Sequence, residues 1–552
     1  MFMRLLFPLV VALLGVHAAA FAQAEDDESS LYDMLLGEIA QQRGDYEFAA
    51  KTYLELARKS GDPRAARRAV EVANQGRLPD LALEAAQTWY QLEPQSTPAL
   101  SVVASLLVST RKVDEAQPYL AKLLEAEGVD LERGYLQLNR LLAGNPDKAA
   151  NLRVVRNLAA RHPELAPSHL AIAQAAAAAN DERLALAESR RATEIKPDWE
   201  APAIFEAQLL QKRSNAEAAK RLAQFVEKNP SSRQGRLAYA RALMADKRVA
   251  EARKQYEALL ADNPNDSDLI YTIGVLAYQL KDYALAEDNM KRLIALPDYR
   301  DPDGARFLLG QIAEEQKQWP RAIQWYDEIQ DGEHALAARL RTANAIAKQG
   351  KLDAARQYLH KSAEDHPGQE VQFTVADAQL LREANRTQDA YQLLSDALKG
   401  DPEQPELLYD LALTAEKMER FDLLESNLRK LIEVKPDHAH AYNALGYSFA
   451  ERNLRLPEAR KLIEKALEIS PEDYFIIDSL GWVLYREGDL KGAARELRRA
   501  YSGRPDAEIG AHLGEVLWML GERDEARRIW DESLKAGPDN ETLNKTIKRL
   551  RR

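Results

Sequence analysis

An all-α solenoid of stacked helical hairpins is what this sequence predicts, on three observations. Ala, Leu, Glu, Lys, Arg and Gln dominate while Val, Ile and Thr are sparse, so nearly every segment favours helix. Prolines return at Pro163, Pro197, Pro230 and Pro264, then at Pro367, Pro402, Pro436, Pro471, Pro505 and Pro538, with steps of 33 to 35 residues. Two columns of small residues follow the same rhythm, with steps of 33 to 36 residues between neighbouring units. One runs through Ile273-Gly274, Leu309-Gly310, Leu445-Gly446, Leu480-Gly481 and Leu513-Gly514, the other through Ala252, Ala286, Ala322, Ala459, Ala493 and Ala526.

The N-terminus reads as a targeting segment. Arg4 precedes the apolar run Leu5 to Val16, small residues follow to Ala22-Gln23-Ala24, and the acidic stretch Glu25-Asp26-Asp27-Glu28 comes next. This pattern predicts a signal peptide over 1–24, cleaved after Ala24, and an acidic mature N-terminus at 25–30. The apolar run is too short to span a bilayer, so no transmembrane span is expected in the mature chain.

Within the repeats each column has a physical role. Small residues let two antiparallel helices approach closely, because the axis separation depends on the side chains trapped between them. Pairs such as Gly44-Asp45, Lys281-Asp282, Gly488-Asp489 and Gly521-Glu522 mark the turn inside a hairpin, where glycine takes positive φ. Proline closes the unit because it cannot continue the second helix. The expected core includes Leu445, Phe449, Leu480, Leu484, Leu497, Leu517 and Trp530.

In this register the sequence resembles the tetratricopeptide repeat family, whose unit of about 34 residues carries a W-x2-L-G-x2-Y…A…F…A…P pattern. Residues 472–505 match through Leu480-Gly481, Leu484, Ala493, Leu497, Ala500 and Pro505. Residues 437–471 match through Tyr442, Leu445-Gly446, Phe449, Ala459, Ile463, Ala466 and Pro471, with one inserted residue near Leu456. The pattern survives near the start in Leu36-Gly37, Ala49, Tyr53 and Leu56. The resemblance implies a right-handed superhelix. About fifteen units fit between Leu31 and Pro538. They divide into divergent repeats over 31–163, central repeats over 164–367 and C-terminal repeats over 368–538, with the best matches at 437–538. A basic capping helix over 539–552 carries Lys545, Lys548, Arg549, Arg551 and Arg552. No linker rich in Ser, Gly or Pro interrupts the array.

The search for chemistry finds no catalytic, cofactor or metal constellation, and the expectation is a protein that is not an enzyme. There is no cysteine, which removes disulfides, thiolate sites and lipid attachment at a lipobox. Ser448, in Gly446-Tyr447-Ser448-Phe449-Ala450, lacks the second glycine of a nucleophile elbow and lies within a helix. The pair His438 and His440, with His512 two repeats later, is read as solvated polar residues, since an i, i+2 pair diverges on a helix. The formal charge of −12 argues against nucleic acid.

What remains is a binding face. The family resemblance implies that the first helix of each hairpin lines the inner surface. That register puts Asn443, Tyr447, Asp478, Trp482, Tyr485, Arg486, Glu515 and Trp518 at or near it. Tyr, Trp and Arg are enriched in binding hot spots. The loop before Tyr474 and Phe475 adds two aromatics that could staple the hairpin. The Lys/Asn/Arg set that chaperone-binding relatives use to clamp a carboxylate is absent from matching positions.

The stretches LGYSFAERNLRLPEARKLIEKAL and FIIDSLGWVLYREGDL resemble a Gram-negative envelope subgroup of the family. Members include an outer-membrane lipoprotein adaptor that binds a carboxy-terminal processing protease and brings it cell-wall hydrolases. The resemblance implies a protein-binding scaffold with such partners, and the missing lipobox cysteine implies a soluble periplasmic form. Two alternatives stand beside it: a repeat platform for polysaccharide export or envelope assembly, and, more remotely, an enzyme with an unrecognised site.

Overall fold

The computed structural model describes residues 28–126 and 130–550, with side chains from Leu31 onward. The expected signal peptide, residues 25–27 of the acidic start, Arg551 and Arg552 lie outside the described residues. Thirty-one α-helices and one short 3-10 helix make up the described structure, with no strand among these residues. The α-helices pair as fifteen hairpins followed by a single terminal helix. The chain forms two compact units, one ending at Asp282 and the other beginning at Tyr283.

In the first unit, Glu28–Gln42 and Tyr46–Ser60 form the opening hairpin. A core rich in Ala, Val and Leu runs from Met34 to Ala175. The region with few consensus residues is a hairpin array all the same, and buried amides take over part of the packing. Leu131–Leu141 runs into the 3-10 turn Leu142–Gly144, and Lys148–Ala159 folds back on it. The buried Asn145 donates from Nδ2 to Asn151 Oδ1 at 2.8 Å, and Asn151 donates to the Leu142 carbonyl at 2.9 Å. Tyr135 donates its hydroxyl proton to the Leu158 carbonyl at 2.8 Å.

In the second unit the last seven helices position the candidate site. They are α1 (Ala439–Glu451), α2 (Leu456–Ile469), α3 (Tyr474–Glu487), α4 (Leu490–Gly503), α5 (Ala507–Leu520), α6 (Arg523–Ala536) and α7 (Glu541–Leu550). α1, α3 and α5 are first helices of their hairpins, and each packs against the next first helix as well as its own partner; α7 continues the row against α5.

Local chemistry explains the turns. Gly488 (φ 93°) and Gly521 (φ 86°) end α3 and α5 in the left-handed region, and Lys281 (φ 60°) does the same in the first unit despite its side chain. Asp489 then caps α4 by accepting the Gly492 N–H at 2.9 Å. The glycine column sets the helix separation: a Cβ at Gly514 would lie 2.0 Å from Trp530 Nε1, and one at Gly481 would lie 2.5 Å from Leu497 Cγ. Leu445, Phe449, Leu484, Leu497, Leu517 and Trp530 are at most 4% exposed. Leu480, expected in the core, is only partly buried and packs at the margin of two core clusters.

Candidate protein-binding face of the C-terminal repeats

Helical spacing builds this face. Asn443, Tyr447 and Glu451 are four residues apart on α1; Asp478, Trp482 and Arg486 repeat the step on α3; Glu508 and His512 do so on α5, with Glu515 and Trp518 at the next turns. Because α1, α3 and α5 are consecutive first helices, these three rows lie side by side.

The rows are stitched together by polar contacts. His512 Nδ1 lies 2.9 Å from Asp478 Oδ2 and 3.1 Å from Oδ1. The Trp482 indole stacks on the imidazole at 4.3 Å with a 25° interplanar angle. Trp482 Nε1 donates to Glu451 Oε2 at 2.8 Å, and Arg486 Nη2 donates to the Glu451 carbonyl at 3.2 Å. Tyr485 donates its hydroxyl proton to Glu515 Oε1 at 3.0 Å, while Arg549 of α7 donates to the other oxygen of that carboxylate.

Sequence reasoning assigned the eight residues to one face, and their burial separates them. Asp478, Trp482 and Glu515 are buried at 5%, 5% and 3% exposure, so they face neighbouring helices more than solvent. Asn443, Tyr447, Tyr485, Arg486 and Trp518 are partly buried. Trp518 lies apart from the rest, 5.6 Å from Trp530, with the guanidiniums of Arg523 and Arg527 5.0 and 5.7 Å from its ring. Asn443 Oδ1 and Arg486 Nε are buried with no hydrogen-bond partner among the described residues.

His512 requires a correction: it is not a solvated polar residue but is 2% exposed and paired with Asp478. Burial pulls its pKa down, but the charge and hydrogen bond of Asp478, with Glu508 and Glu451 behind, outweigh burial and raise it. Burial and the carboxylates of Glu451, Glu508, Asp478 and Glu416 push the Tyr447 phenol upward, and burial with Glu515 pushes Tyr485 up to about 12. His438 instead caps α1, accepting the Ala441 N–H at 3.1 Å. Ser448 is buried and accepts from Arg452 Nη2 at 3.1 Å. Among the described residues no three His, Asp or Glu side chains converge as metal ligands. Tyr474 packs against Gly503, while Phe475 is 44% exposed beneath Arg504.

Glu451 and Glu508 were not singled out from sequence, and His512 and Arg549 were read there only as a solvated histidine and a solvating cap, although a signal for their pairing existed. Asp478 and His512 are 34 residues apart, as are Glu515 and Arg549, so opposite charges stand one repeat apart at the same helical position.

Short helical hairpins joined by left-handed turns, with polar contacts stitching first helix to first helix, define the class of repeat scaffolds. The chain belongs to the tetratricopeptide repeat family. Residues 208–267, 271–335, 409–474 and 479–541 match the family described as Tetratricopeptide repeat. The chain is 34% identical over 529 residues to the TPR repeat-containing protein PA4667 of Pseudomonas aeruginosa, covering 95% of this chain and 88% of that one. It is 23% identical over 348 residues to cellulose synthase operon protein C of Pseudomonas fluorescens, covering 61% of this chain and 25% of that one. Among solved structures, a thermophilic TPR protein of Thermus thermophilus aligns at 24% identity and a TM-score of 0.30, covering 33% of this chain and 98% of that one.

Proposed function

We propose that this protein is a periplasmic scaffold that holds partner proteins on the first-helix face of its C-terminal repeats and brings an envelope protease to its substrates, cell-wall hydrolases among them. Membership of a family of protein-protein interaction scaffolds supports the coarse reading. The observation that carries the choice of face is the row of aromatic and charged side chains on α1, α3 and α5, along which Glu451 is exposed and Tyr447, Tyr485 and Arg486 are partly exposed. The expected signal sequence supports the compartment.

Crosslinking mass spectrometry in cells tests the reading. Wild type should recover a protease or hydrolase, and Arg486→Ala and Glu451→Ala, checked for native helicity, should lose most of that yield. Equal recovery by both variants would remove this face as the binding site. N-terminal sequencing of the purified mature protein should start at Glu25; a start upstream of Ala22 would remove the periplasmic assignment.

A second reading, a platform for polysaccharide export, is favoured by the likeness to cellulose synthase operon protein C. Deletion of the protein should then abolish exported polysaccharide while leaving protease substrates at normal levels.

A further inference from the structure

We propose that a proton on His512 latches the seam between α3 and α5, and that its loss opens the seam and uncovers Trp482 to a docking partner; the docking half rests on the reading of this face given above. Three side chains close on one another here, at 2%, 5% and 5% exposure for His512, Asp478 and Trp482. They come from first helices of adjacent repeats, so their contact is also the contact between those repeats.

The groups around the imidazole make it a counter-ion. α1 contributes Glu451 and the Tyr447 ring, which lies 6.3 Å from His512. α3 contributes Asp478 against the ring nitrogen, while its Arg486 is held to the Glu451 carbonyl and its Tyr485 to Glu515. α5 itself contributes Glu508 one turn before, and Glu515 one turn after is taken up by Tyr485 and Arg549 of α7. α4 brings Tyr501 beside Gly510, with its hydroxyl bonded to Ser533 of α6. Protonated His512 is therefore the cation that Asp478, Glu508 and Glu451 share.

Loss of that proton has a definite sign. The folded-state pKa of His512 is raised. The stability it contributes is complete below the ordinary histidine range and is lost as pH rises through the raised value. Above it, Asp478 is a buried carboxylate with no counter-charge and two further carboxylates nearby, an arrangement that proteins relieve by separation or hydration. The stacked indole also loses a cation on its face. Parting of α3 from α5 relieves the first cost and exposes Trp482, a residue type that anchors interfaces.

Acrylamide quenching of Trp482 emission, taken as wild type minus Trp482→Phe over about pH 6 to 10, reads the latch directly. The quenching constant should rise severalfold across a single transition, and the His512 Cε1 proton should titrate with the same midpoint, above the ordinary histidine value. His512→Gln, which keeps a donor to Asp478 without charge, should leave Trp482 accessible at every pH. A flat quenching constant, or a midpoint at or below the ordinary value, overturns the latch. If His512→Gln does not fold, the wild-type profile decides alone. No partner is present in this measurement, so failure of the docking reading leaves it standing. In the crosslinking experiment, partner yield should grow through the same transition, and a yield that falls overturns the gating half.

Discussion

The side chains that matter most in the second unit are charged and span two repeats. Arg382 holds Asp410 through two bonds of 2.6 and 3.0 Å, and His512 holds Asp478. Arg341 meets Glu314 and Arg549 meets Glu515 in the same manner. Each pair joins first helices of successive units, so a carboxylate on this face is usually matched by a cation from the neighbour. Glu416 departs from that rule. Burial, with the Glu451 carboxylate against the pull of Arg452, raises its pKa. A raised carboxyl favours the protonated folded state, so its contribution is present at low pH and lost as pH rises through the folded value. Glu416→Gln should therefore raise the urea midpoint at about pH 7, and the advantage should shrink toward about pH 4. An equal midpoint for variant and wild type at neutral pH would mean that the neighbouring Arg452 already offsets the burial.

Hairpins were readable from sequence because their constraints are local and recur. The proline rhythm, the glycine column and the alanine column locate the helix pairs beyond Pro163 where they recur, and a Cβ at Gly514 would collide with Trp530 where the column says two helices must touch. What could not be read is how often the turn does without glycine. Arg77, Asn180, Lys247, Lys281, Lys317, Asn385, Glu419 and Asn453 all take φ between 55° and 61° at the end of a first helix. Surrounding packing over-determines these turns, at a local cost of order 1 kcal/mol each. Lys281→Gly should accordingly stabilise the protein by about 0.5–1 kcal/mol, seen as a higher urea midpoint at unchanged m-value. Seam contacts were illegible for another reason. The one-repeat spacing of Asp478 and His512 is visible, but only the stacking of α5 on α3 turns an apparently solvated histidine into a buried ion pair.

For the molecule as a whole, stability accumulates from hairpin to hairpin, since each buries its apolar side only against its neighbours. The terminal helix shows the logic: α7 contributes Leu543, fully buried, and the Arg549 that meets Glu515. Removing residues 541–552 should lower the melting temperature and raise binding of a hydrophobic dye, because the end of the core loses its cover; an unchanged melting curve would show that α7 only solvates the end. The pattern of charge follows the same division of labour. Glu425 and Glu525, on second helices, are held below the usual carboxylate range by hydrogen bonds from Arg455 and Arg498, whereas burial raises Glu416 and Glu508 on first helices.

The central claim is that partners dock on the first-helix face, and site-specific photocrosslinking in cells tests it most directly. A photoreactive residue in place of Glu451 or Arg486 on first helices should give protein adducts, while one in place of Lys491 or Arg495 on α4 should give none. Adducts confined to the α4 positions, with none from Glu451 or Arg486, would contradict the account.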